Sequence, residues 1–285
     1  MRVTFLGTGT SHGIPVIGCS CSVCASPNPK NRRNRIGVWL HEGPAQVGRD
    51  LSERGRGQPP ESAEPLTEGA NARGLSAVID VSSEFRTAAL ANGLRHLDFV
   101  LLTHAHSDHA SGLDDLRIFS QASGKPMPIY ADLRTLSEVR QKYAYAFDER
   151  KAYGGGVPQY ELREAAAPFS HGSWKVTPLN VLHGPESILG FRIGGFAFIT
   201  DVTVIPEDTL ELLQGLDVLA LDCLRPRPHS THLHYDAAVA YAHRIGARRT
   251  FMIHMTHDFE HDELEAMLPA GMQAAYDGLT VEIAG

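Results

Sequence analysis

The chain has 285 residues, the size of one large α/β domain. Hydrophobic residues make up 42% and charged residues 21%, as in ordinary globular proteins. The formal net charge is −7, with histidine counted as neutral. This sign disfavours a protein that holds nucleic acid by general electrostatics, although it leaves room for a local basic patch. The 15 histidines are the unusual figure, and they suggest metal or acid–base chemistry.

The cysteines and the N-terminus predict the compartment. The apolar run that begins at Met1 stops at Gly7, which is too short for a secretory signal. No stretch approaches the roughly 20 apolar residues that cross a bilayer. We therefore expect a cytoplasmic protein with no membrane association, whose four cysteines are thiols or metal ligands rather than disulfides.

Apolar patterning predicts alternating strands and helices in the first half of the chain. The predicted elements are strands at residues 3–6, 34–41 and 75–80, a helix at 83–92, a strand at 99–103, a helix from about 112, a strand at 128–130 and a helix at 133–145. Residues 43–74 are instead rich in Gly, Pro, Glu, Arg and Ser and have almost no large apolar side chains. We predict a disordered insertion there.

The second half is dominated by predicted strands. They lie at residues 175–182, 188–193, 197–200, 217–222 and 250–253, with a helix at 236–244. Strands in both halves with helices between them predict two sheets packed face to face with helices outside. We expect one domain over residues 1–285.

A cluster of metal-binding side chains follows the strand that ends at Thr103. Within six residues the chain offers His104, His106, Asp108 and His109. Alternate residues of an extended segment point the same way, so His104 and His106 can converge on one ion. If a helix begins next, Asp108 and His109 turn towards a neighbouring position. Imidazole and carboxylate together suit zinc, manganese or iron, and this cluster can hold two ions.

The pattern His-x-His-x-Asp-His resembles the signature of the metallo-β-lactamase superfamily. The resemblance implies a four-layer αββα sandwich with the other ligands at later strand ends. Residues that follow predicted strands match those positions in order: Asp80, His183, Asp201 and His254. By this resemblance Asp80 supports the ligands from behind, and Asp201 bridges both ions.

The resemblance also implies how the ligands divide. One ion would be held by His104, His106, His183 and Asp201, and the other by Asp108, His109, His254 and Asp201. Two divalent ions, manganese or zinc, roughly 3.5–4 Å apart would acidify a shared water and neutralise charge on a phosphoryl group.

A second metal site is predicted near the N-terminus. Cys19, Cys21 and Cys24 offer three thiolates in one loop, and a structural zinc ion needs one more ligand to complete a tetrahedron. The candidate is His257, three residues beyond His254. The alternative is three thiols without a metal.

These cysteines narrow the resemblance. Together with Gly7-Thr8-Gly9-Thr10-Ser11 and His254-x-x-His257 they resemble the phosphoribosyl 1,2-cyclic phosphate phosphodiesterases of the carbon–phosphorus lyase pathway. This resemblance implies hydrolysis of a small cyclic phosphodiester, such as ribose 1,2-cyclic phosphate, to a phosphomonoester. A homodimer is one candidate for the oligomeric state of the chain.

A phosphodiesterase also needs a proton for its leaving oxygen, and histidine suits this near neutral pH. The resemblance places the acid in the segment from Pro228 to Asp236. Alignment on the following helix favours His234, with His232 as the alternative, and Asp108 could share the proton transfer. Arg117, on the helix after the metal loop, is a weaker candidate for phosphate contact, against a surface salt bridge.

Other functions remain open. A nuclease of the tRNA 3′-processing kind, or a broader alkyl or nucleotide phosphodiesterase, is the main alternative. Net charge −7 and the lack of a basic arm disfavour nucleic acid as the substrate. A metal-delivery protein and a thioester or lactam hydrolase are further alternatives.

Overall fold

The computed structural model describes residues 1–42, 74–148 and 156–284. The predicted insertion at 43–74 lies outside the described residues except for Gly74, so that prediction stays untested. Strands β1 to β6 and helices α1 to α4 are Arg2–Gly7 (β1), Gly37–His41 (β2), Ser76–Ile79 (β3), Phe85–Asn92 (α1), Phe99–Leu101 (β4), Ser107–Ala110 (α2), Arg117–Ser123 (α3), Met127–Ala131 (β5), Leu133–Lys142 (α4) and Tyr160–Glu164 (β6). Short 3-10 helices occupy Pro29–Asn31, Leu113–Leu116 and Ala144–Phe147.

The remaining elements form the second half. They are Phe169–His171 (β7), Trp174–His183 (β8), Glu186–Ile193 (β9), Phe196–Ile199 (β10), Glu207–Leu212 (α5), Val218–Asp222 (β11), Tyr235–Ile245 (α6), Arg249–Ile253 (β12), His261–Met267 (α7), Met272–Ala274 (β13) and Thr280–Glu282 (β14). One seven-stranded sheet has the order β14-β1-β2-β3-β4-β5-β6, and the other has the order β13-β12-β11-β10-β9-β8-β7.

The two sheets pack on each other through a shared apolar core. Phe5 and Phe99 of the first sheet and Phe191 and Phe198 of the second belong to this cluster and are fully buried. The opposite face of each sheet packs against helices in a separate cluster. Successive side chains of a strand point to opposite faces, so strands buried on both faces are almost continuously apolar. This arrangement confirms the predicted αββα sandwich.

Helix ends follow local chemistry. The side chain of Asp132 accepts a hydrogen bond of 2.7 Å from the backbone N–H of Thr135 and so begins α4. Gly93, in the left-handed conformation with φ of 71°, ends α1. The predicted helix at 133–145 ends earlier, at Lys142, and continues after Tyr143 as the 3-10 turn.

The ends of the central strands position the candidate site. Three residues that follow strands, Asp80, Asp201 and His254, have φ values of 62°, 51° and 60°, and no other non-glycine residue of the described ranges has positive φ. This conformation costs an L-residue about 1–2 kcal/mol. Each residue turns the chain sharply at its strand end. The sheet fixes the backbone on one side of the turn, so the side chain has a defined direction.

Candidate metal centre

Two groups of ligand atoms meet where strands from both sheets end. The first group is His104, His106, His183 and Asp201, and the second is Asp108, His109, Asp201 and His254. Within each group the ligand atoms lie within 4.8 Å of one another, and Asp201 belongs to both. The structure therefore brings together every ligand predicted for the two ions, in the predicted division.

In the first group the imidazole nitrogens face a common point. Nε2 of His104 lies 2.9 Å from Nδ1 of His106 and 3.9 Å from Oδ2 of Asp201. Burial and the neighbouring His109 hold the pKa of His104 well below its ordinary value. Burial and His183 likewise lower the pKa of His106. Both rings are therefore neutral near pH 7, which is the form that binds a metal ion.

In the second group two carboxylates lie between two histidines. Nε2 of His109 is 3.3 Å from both Oδ2 of Asp108 and Oδ1 of Asp201. Nε2 of His254 is 3.5 Å from Oδ2 of Asp108 and 3.3 Å from Oδ1 of Asp201. Although burial opposes the shift, His254 and His109 hold the pKa of Asp201 well below its ordinary value.

The opposite nitrogen of several ligand rings is held by a neighbour. Nδ1 of His104 lies 3.0 Å from Oγ1 of Thr103, and Nδ1 of His183 lies 2.9 Å from the carbonyl oxygen of Thr231. A histidine whose Nδ1–H donates to an oxygen presents the Nε2 lone pair to a metal. Partners of this kind fix both the tautomer and the orientation of the ring.

Asp80 supplies such a partner from behind the centre. Its Oδ2 lies 2.7 Å from Nδ1 of His109, and its Oδ1 accepts a 2.9 Å hydrogen bond from the backbone N–H of Thr103. Burial raises the pKa of Asp80, while His109 opposes the shift. Asp80 therefore lies where the resemblance placed it, supporting a ligand without facing the ions.

The second group also passes a test of fit to a cation. Nε2 of His109 and Nε2 of His254 are buried and have no hydrogen-bond partner among the described residues. Such atoms are costly unless something satisfies them. A divalent ion between these nitrogens and the two carboxylates would do so, and imidazole with carboxylate is a donor set typical of zinc or manganese.

The loop before α6 adds His232 to the centre. Its Nε2 lies 3.8 Å from Oδ2 of Asp201, and its ring stacks on His254 at 4.9 Å between centroids. His234 instead occupies the N-cap position of α6 and is half-buried, and no side-chain contact joins it to either group in the described part of the chain. The structure thus places the alternative, His232, where we had placed His234. This position favours His232 over His234 as the candidate acid.

Asp222, the last residue of β11, was not predicted as a site residue from the sequence. It is fully buried, and its Oδ2 lies 3.3 Å from Nδ1 of His232 while its Oδ1 lies 3.7 Å from Nδ1 of His254. The same Oδ2 accepts hydrogen bonds from the backbone N–H groups of Val202 and Leu233. An aspartate at the end of a buried strand was the available signal, because Asp80 has the same setting.

Arg117 does not reach the centre. Its guanidinium pairs with Asp114, one helical turn earlier, so the described contacts fit the surface salt bridge. The cation that contacts the metal loop is Lys142, at the end of α4. Its ammonium donates a hydrogen bond to the carbonyl oxygen of Ala105, between His104 and His106. Nothing in the sequence pattern signalled this contact.

The cysteine loop meets the predicted fourth ligand. Nδ1 of His257 lies 3.4 Å from Sγ of Cys19, 3.6 Å from Sγ of Cys21 and 3.4 Å from Sγ of Cys24. Tetrahedral zinc with a Zn–S bond of about 2.3 Å and a Zn–N bond of about 2.1 Å separates S from N by about 3.6 Å. The backbone N–H of Cys24 lowers the pKa of Cys21 to about 6, whereas burial raises the pKa of Cys24 to about 11, so zinc binding would have to displace the proton of Cys24. The four side chains fit a zinc ion.

Comparison with known proteins agrees with this geometry. A family model described as a beta-lactamase superfamily domain matches residues 75–255, which is more than half of the chain. The chain therefore belongs to the metallo-β-lactamase superfamily, whose members include metal-dependent hydrolases. Within it, the chain is similar to a diphosphatase of the PhnP family, at 33% identity over 99% of this chain and 98% of that one, with a TM-score of 0.82.

Two further relatives differ in what they show. A protein of Porphyromonas gingivalis named octanoyltransferase is 33% identical over 283 residues, which are 98% of this chain but 51% of that protein. The chain thus spans about half the length of this curated relative. The zinc-bound PqqB of Methylobacterium extorquens is 18% identical over 99% of this chain and all of the other, with a TM-score of 0.70. At that identity the likeness shows the fold alone.

No helix within the described residues, 1–42, 74–148 and 156–284, is long and apolar enough to cross a bilayer.

Proposed function

We propose that the protein is a metal-dependent phosphodiesterase that hydrolyses a small cyclic phosphodiester, such as ribose 1,2-cyclic phosphate, to a phosphomonoester. The observation that supports this most is the pair of ligand groups sharing Asp201, with His232 beside them. A hydrolase of phosphoric esters needs this combination of cations and a proton donor. The PhnP-family protein that is similar over nearly the whole chain is described as a diphosphatase, which also places phosphoryl chemistry in a relative.

Each residue has a part in this proposal. His104, His106 and His183 would hold one divalent ion, Asp108, His109 and His254 would hold the other, and Asp201 belongs to both ligand groups. Bound manganese or zinc ions acidify a water molecule and neutralise charge on the phosphoryl oxygens. Cys19, Cys21, Cys24 and His257 hold a third ion, a structural zinc.

His232 is the proposed proton donor to the leaving oxygen, in place of His234. Its Nδ1 faces Asp222, so a proton on Nε2 points towards the carboxylate of Asp201 and the ligand groups. A sugar oxygen leaves as a basic alkoxide and therefore needs a proton donor. A phosphate leaving group is a weaker base and depends less on a proton donor. An acid in this position therefore supports an alkoxide leaving group. Although burial opposes it, His109 holds the pKa of Asp108 far below its ordinary value, which suits a ligand better than a proton donor.

Hydrolysis of a diphosphate is the second candidate. The observation that favours it is the name of the similar PhnP-family structure. Precursor tRNA is a third substrate to compare, and the net charge of −7 disfavours it. The name octanoyltransferase belongs to a relative of which the chain spans about half, so an octanoyl thioester tests whether that activity belongs to the shared half.

A substrate panel tests the proposal. Manganese-loaded and zinc-loaded protein would be assayed with ribose 1,2-cyclic phosphate, 2′,3′-cyclic and 3′,5′-cyclic nucleotides, a dinucleoside diphosphate, precursor tRNA and an octanoyl thioester. We expect the highest kcat/KM for a cyclic phosphodiester. The Asp201→Asn variant is the matched control for contaminating hydrolases, because it retains the shape of the side chain and loses the shared charge.

The panel also shows how the proposal fails. A kcat/KM highest for the diphosphate would replace it with the second candidate, and one highest for precursor tRNA would replace it with a nuclease. Turnover of the octanoyl thioester and of no phosphoric ester would reject the proposal that the protein hydrolyses phosphoric esters.

A further inference from the structure

Arg33 lies inside the protein, between the cysteine loop and the strand end that carries His254. Its side chain is 1% exposed, which is rare for a charged residue. Burial lowers its pKa to about 10, so it stays a cation at neutral pH. A buried cation needs partners, and the guanidinium of Arg33 finds two of them in the segment around His257.

The guanidinium binds the segment around His257. Nη1 donates to the carbonyl oxygen of Thr256, one residue before His257, at 2.9 Å. Nη2 donates to the carbonyl oxygen of Phe259, two residues after it, also at 2.9 Å. The planar fork of arginine thus fixes the backbone on both sides of the candidate zinc ligand.

The backbone of Arg33 binds the segment that leads into the cysteine loop. The N–H of Arg33 donates to the carbonyl oxygen of Ile14 at 2.9 Å, and the N–H of Ile14 donates back at 2.8 Å. Gly9 packs directly on the side chain, since a Cβ added there would lie 2.9 Å from Cβ of Arg33. Gly9 in turn pairs with Met255, the residue after His254. Arg33 therefore contacts the segment that leads into the cysteine loop and the segment that carries His257, which follows directly on His254.

The negative charge of the zinc–thiolate site also supports a role for a nearby cation. Three thiolates, one imidazole and a zinc ion carry a net charge of −1, which is costly near a protein interior. The negative groups that oppose the effect of burial on the pKa of Arg33 are Asp277 first, then Glu260, and then Cys24 of the cysteine loop. A cation close to the thiolates offsets their charge.

We infer that Arg33 is a positioning residue that holds the His254–His257 segment and acts as the internal counter-cation of the zinc–thiolate site, so that zinc binding there and binding of the catalytic ion at His254 are coupled. The inference concerns the two metal sites and does not depend on which phosphoric ester is the substrate.

The test uses Arg33→Met, which keeps length but removes charge and hydrogen bonds, and Arg33→Lys, which keeps charge without the fork. Arg249→Met is the matched control, because Arg249 also bonds a carbonyl oxygen and an aspartate but lies at the opposite end of β12. Zinc affinity would be measured by chelator competition, and thiolate ligation by the absorption spectrum of the cobalt-substituted protein. The paired manganese ions would be followed by electron paramagnetic resonance.

We expect Arg33→Met to weaken zinc binding at the cysteine site by at least about tenfold, as loss of a charged hydrogen-bonding partner implies. The signal of coupled manganese ions should give way to that of a single ion held by His104, His106 and His183. Arg33→Lys should lie between Arg33→Met and wild type, and Arg249→Met should match wild type in both measurements.

Unchanged zinc affinity in Arg33→Met would overturn the inference, and weakened zinc with an intact manganese pair would overturn the coupling. If Arg33→Met does not fold, Arg33→Lys becomes the deciding variant. Wild-type zinc affinity and an intact manganese pair in Arg33→Lys would show that the two guanidinium hydrogen bonds are not needed, and would overturn the positioning role.

Discussion

The carboxylate of Asp222 lies 3.3 Å from Nδ1 of His232, on the side of the ring that faces away from Asp201. A carboxylate in this position can orient the ring so that Nε2 faces the ligand groups. The other oxygen of Asp222 lies 3.7 Å from Nδ1 of His254. One buried side chain therefore orients both the proposed acid and a proposed ligand.

Replacing Asp222 tests this relationship. We expect Asp222→Asn to lower kcat by about 10–100-fold and to weaken metal binding at the His254 site, as loss of such partners usually does. Asp217→Asn is the control, because Asp217 precedes the same strand at its other end and pairs with Arg248 and Arg249. It should lower stability but not kcat. Equal kcat in the two variants would argue against the role of Asp222.

Replacing His232 and His234 separately distinguishes the two candidates for the acid. His232→Asn should lower kcat on a cyclic sugar phosphodiester by about 10²–10⁴-fold, the usual contribution of a positioned acid. Its effect on bis(p-nitrophenyl) phosphate should be much smaller, because p-nitrophenolate leaves without a proton. His234→Asn should change neither rate, and metal content should be measured in both. A loss confined to His234→Asn would restore the original alignment.

The pH dependence of metal binding follows from the second ligand group. Although burial opposes both shifts, Asp201 raises the pKa of His109 well above its ordinary value and also raises the pKa of His254. In the metal-free protein these rings therefore retain protons that a metal must displace. Affinity should fall as pH falls through the raised pKa values, by up to about tenfold per unit for each displaced proton. Calorimetry in two buffers of different ionisation enthalpy measures the protons released.

The stability of the metal-free protein should change with pH in the opposite direction to the metal affinity. A histidine whose pKa is raised on folding stabilises the fold below its unfolded pKa of about 6.5, and this contribution is lost as pH rises through the folded value. Mild acid should thus narrow the difference in Tm between metal-free and loaded protein. Calorimetry without proton release would contradict the assigned ligands.

Removing one thiolate tests the zinc site independently of turnover. Cys21→Ser should bind no zinc at this site and lose at least about 2 kcal/mol of stability, a fall in Tm of roughly 4–8 °C. Cys223→Ser is the control, since Cys223 is buried in the core and away from the cluster. It should retain zinc. Zinc retained in Cys21→Ser would support the alternative of thiols without a metal.

Lys142 and Arg117 can be compared as substrate contacts. Lys142→Met should raise KM several-fold with little change in kcat, because the exposed ammonium lies beside the metal loop and can attract an anionic substrate. Arg117→Met should leave KM unchanged, since its charge is paired with Asp114. Reduced metal content in Lys142→Met would instead show that the bond to Ala105 only holds the loop.

The sequence predicted the fold because it depends on local patterns, and the resemblance carried by the His-x-His-x-Asp-His motif implied the ligand set. A strand ending at Asp80, Asp201 or His254 shows its apolar run and its polar end together. The short edge strands β6, β7, β13 and β14 were missed, since three to five residues with mixed burial give no clear period.

Contacts between distant segments could not be predicted in the same way. His232 and His234 have similar local sequence settings, yet His232 lies beside Asp201 whereas His234 pairs with Arg225 across a loop, and both contacts join distant segments. Arg33 was overlooked because arginine is usually exposed. Asp222 carried the same strand-end signal as Asp80, but its contacts with His232 and His254 depend on β11 lying between β10 and β12, which the topology determines.

The pairing of β1 with β14 has a consequence for how the domain can be combined with others. Arg2 lies opposite Glu282, and the N–H of Ile283 donates to the carbonyl oxygen of Met1 at 2.9 Å, so the first and last residues of the sheet are neighbours. The metal centre lies beyond the other end of β1, where Gly9 pairs with Met255. A module tethered to either end of this sheet would therefore begin at the end of β1 that lies away from the metal centre.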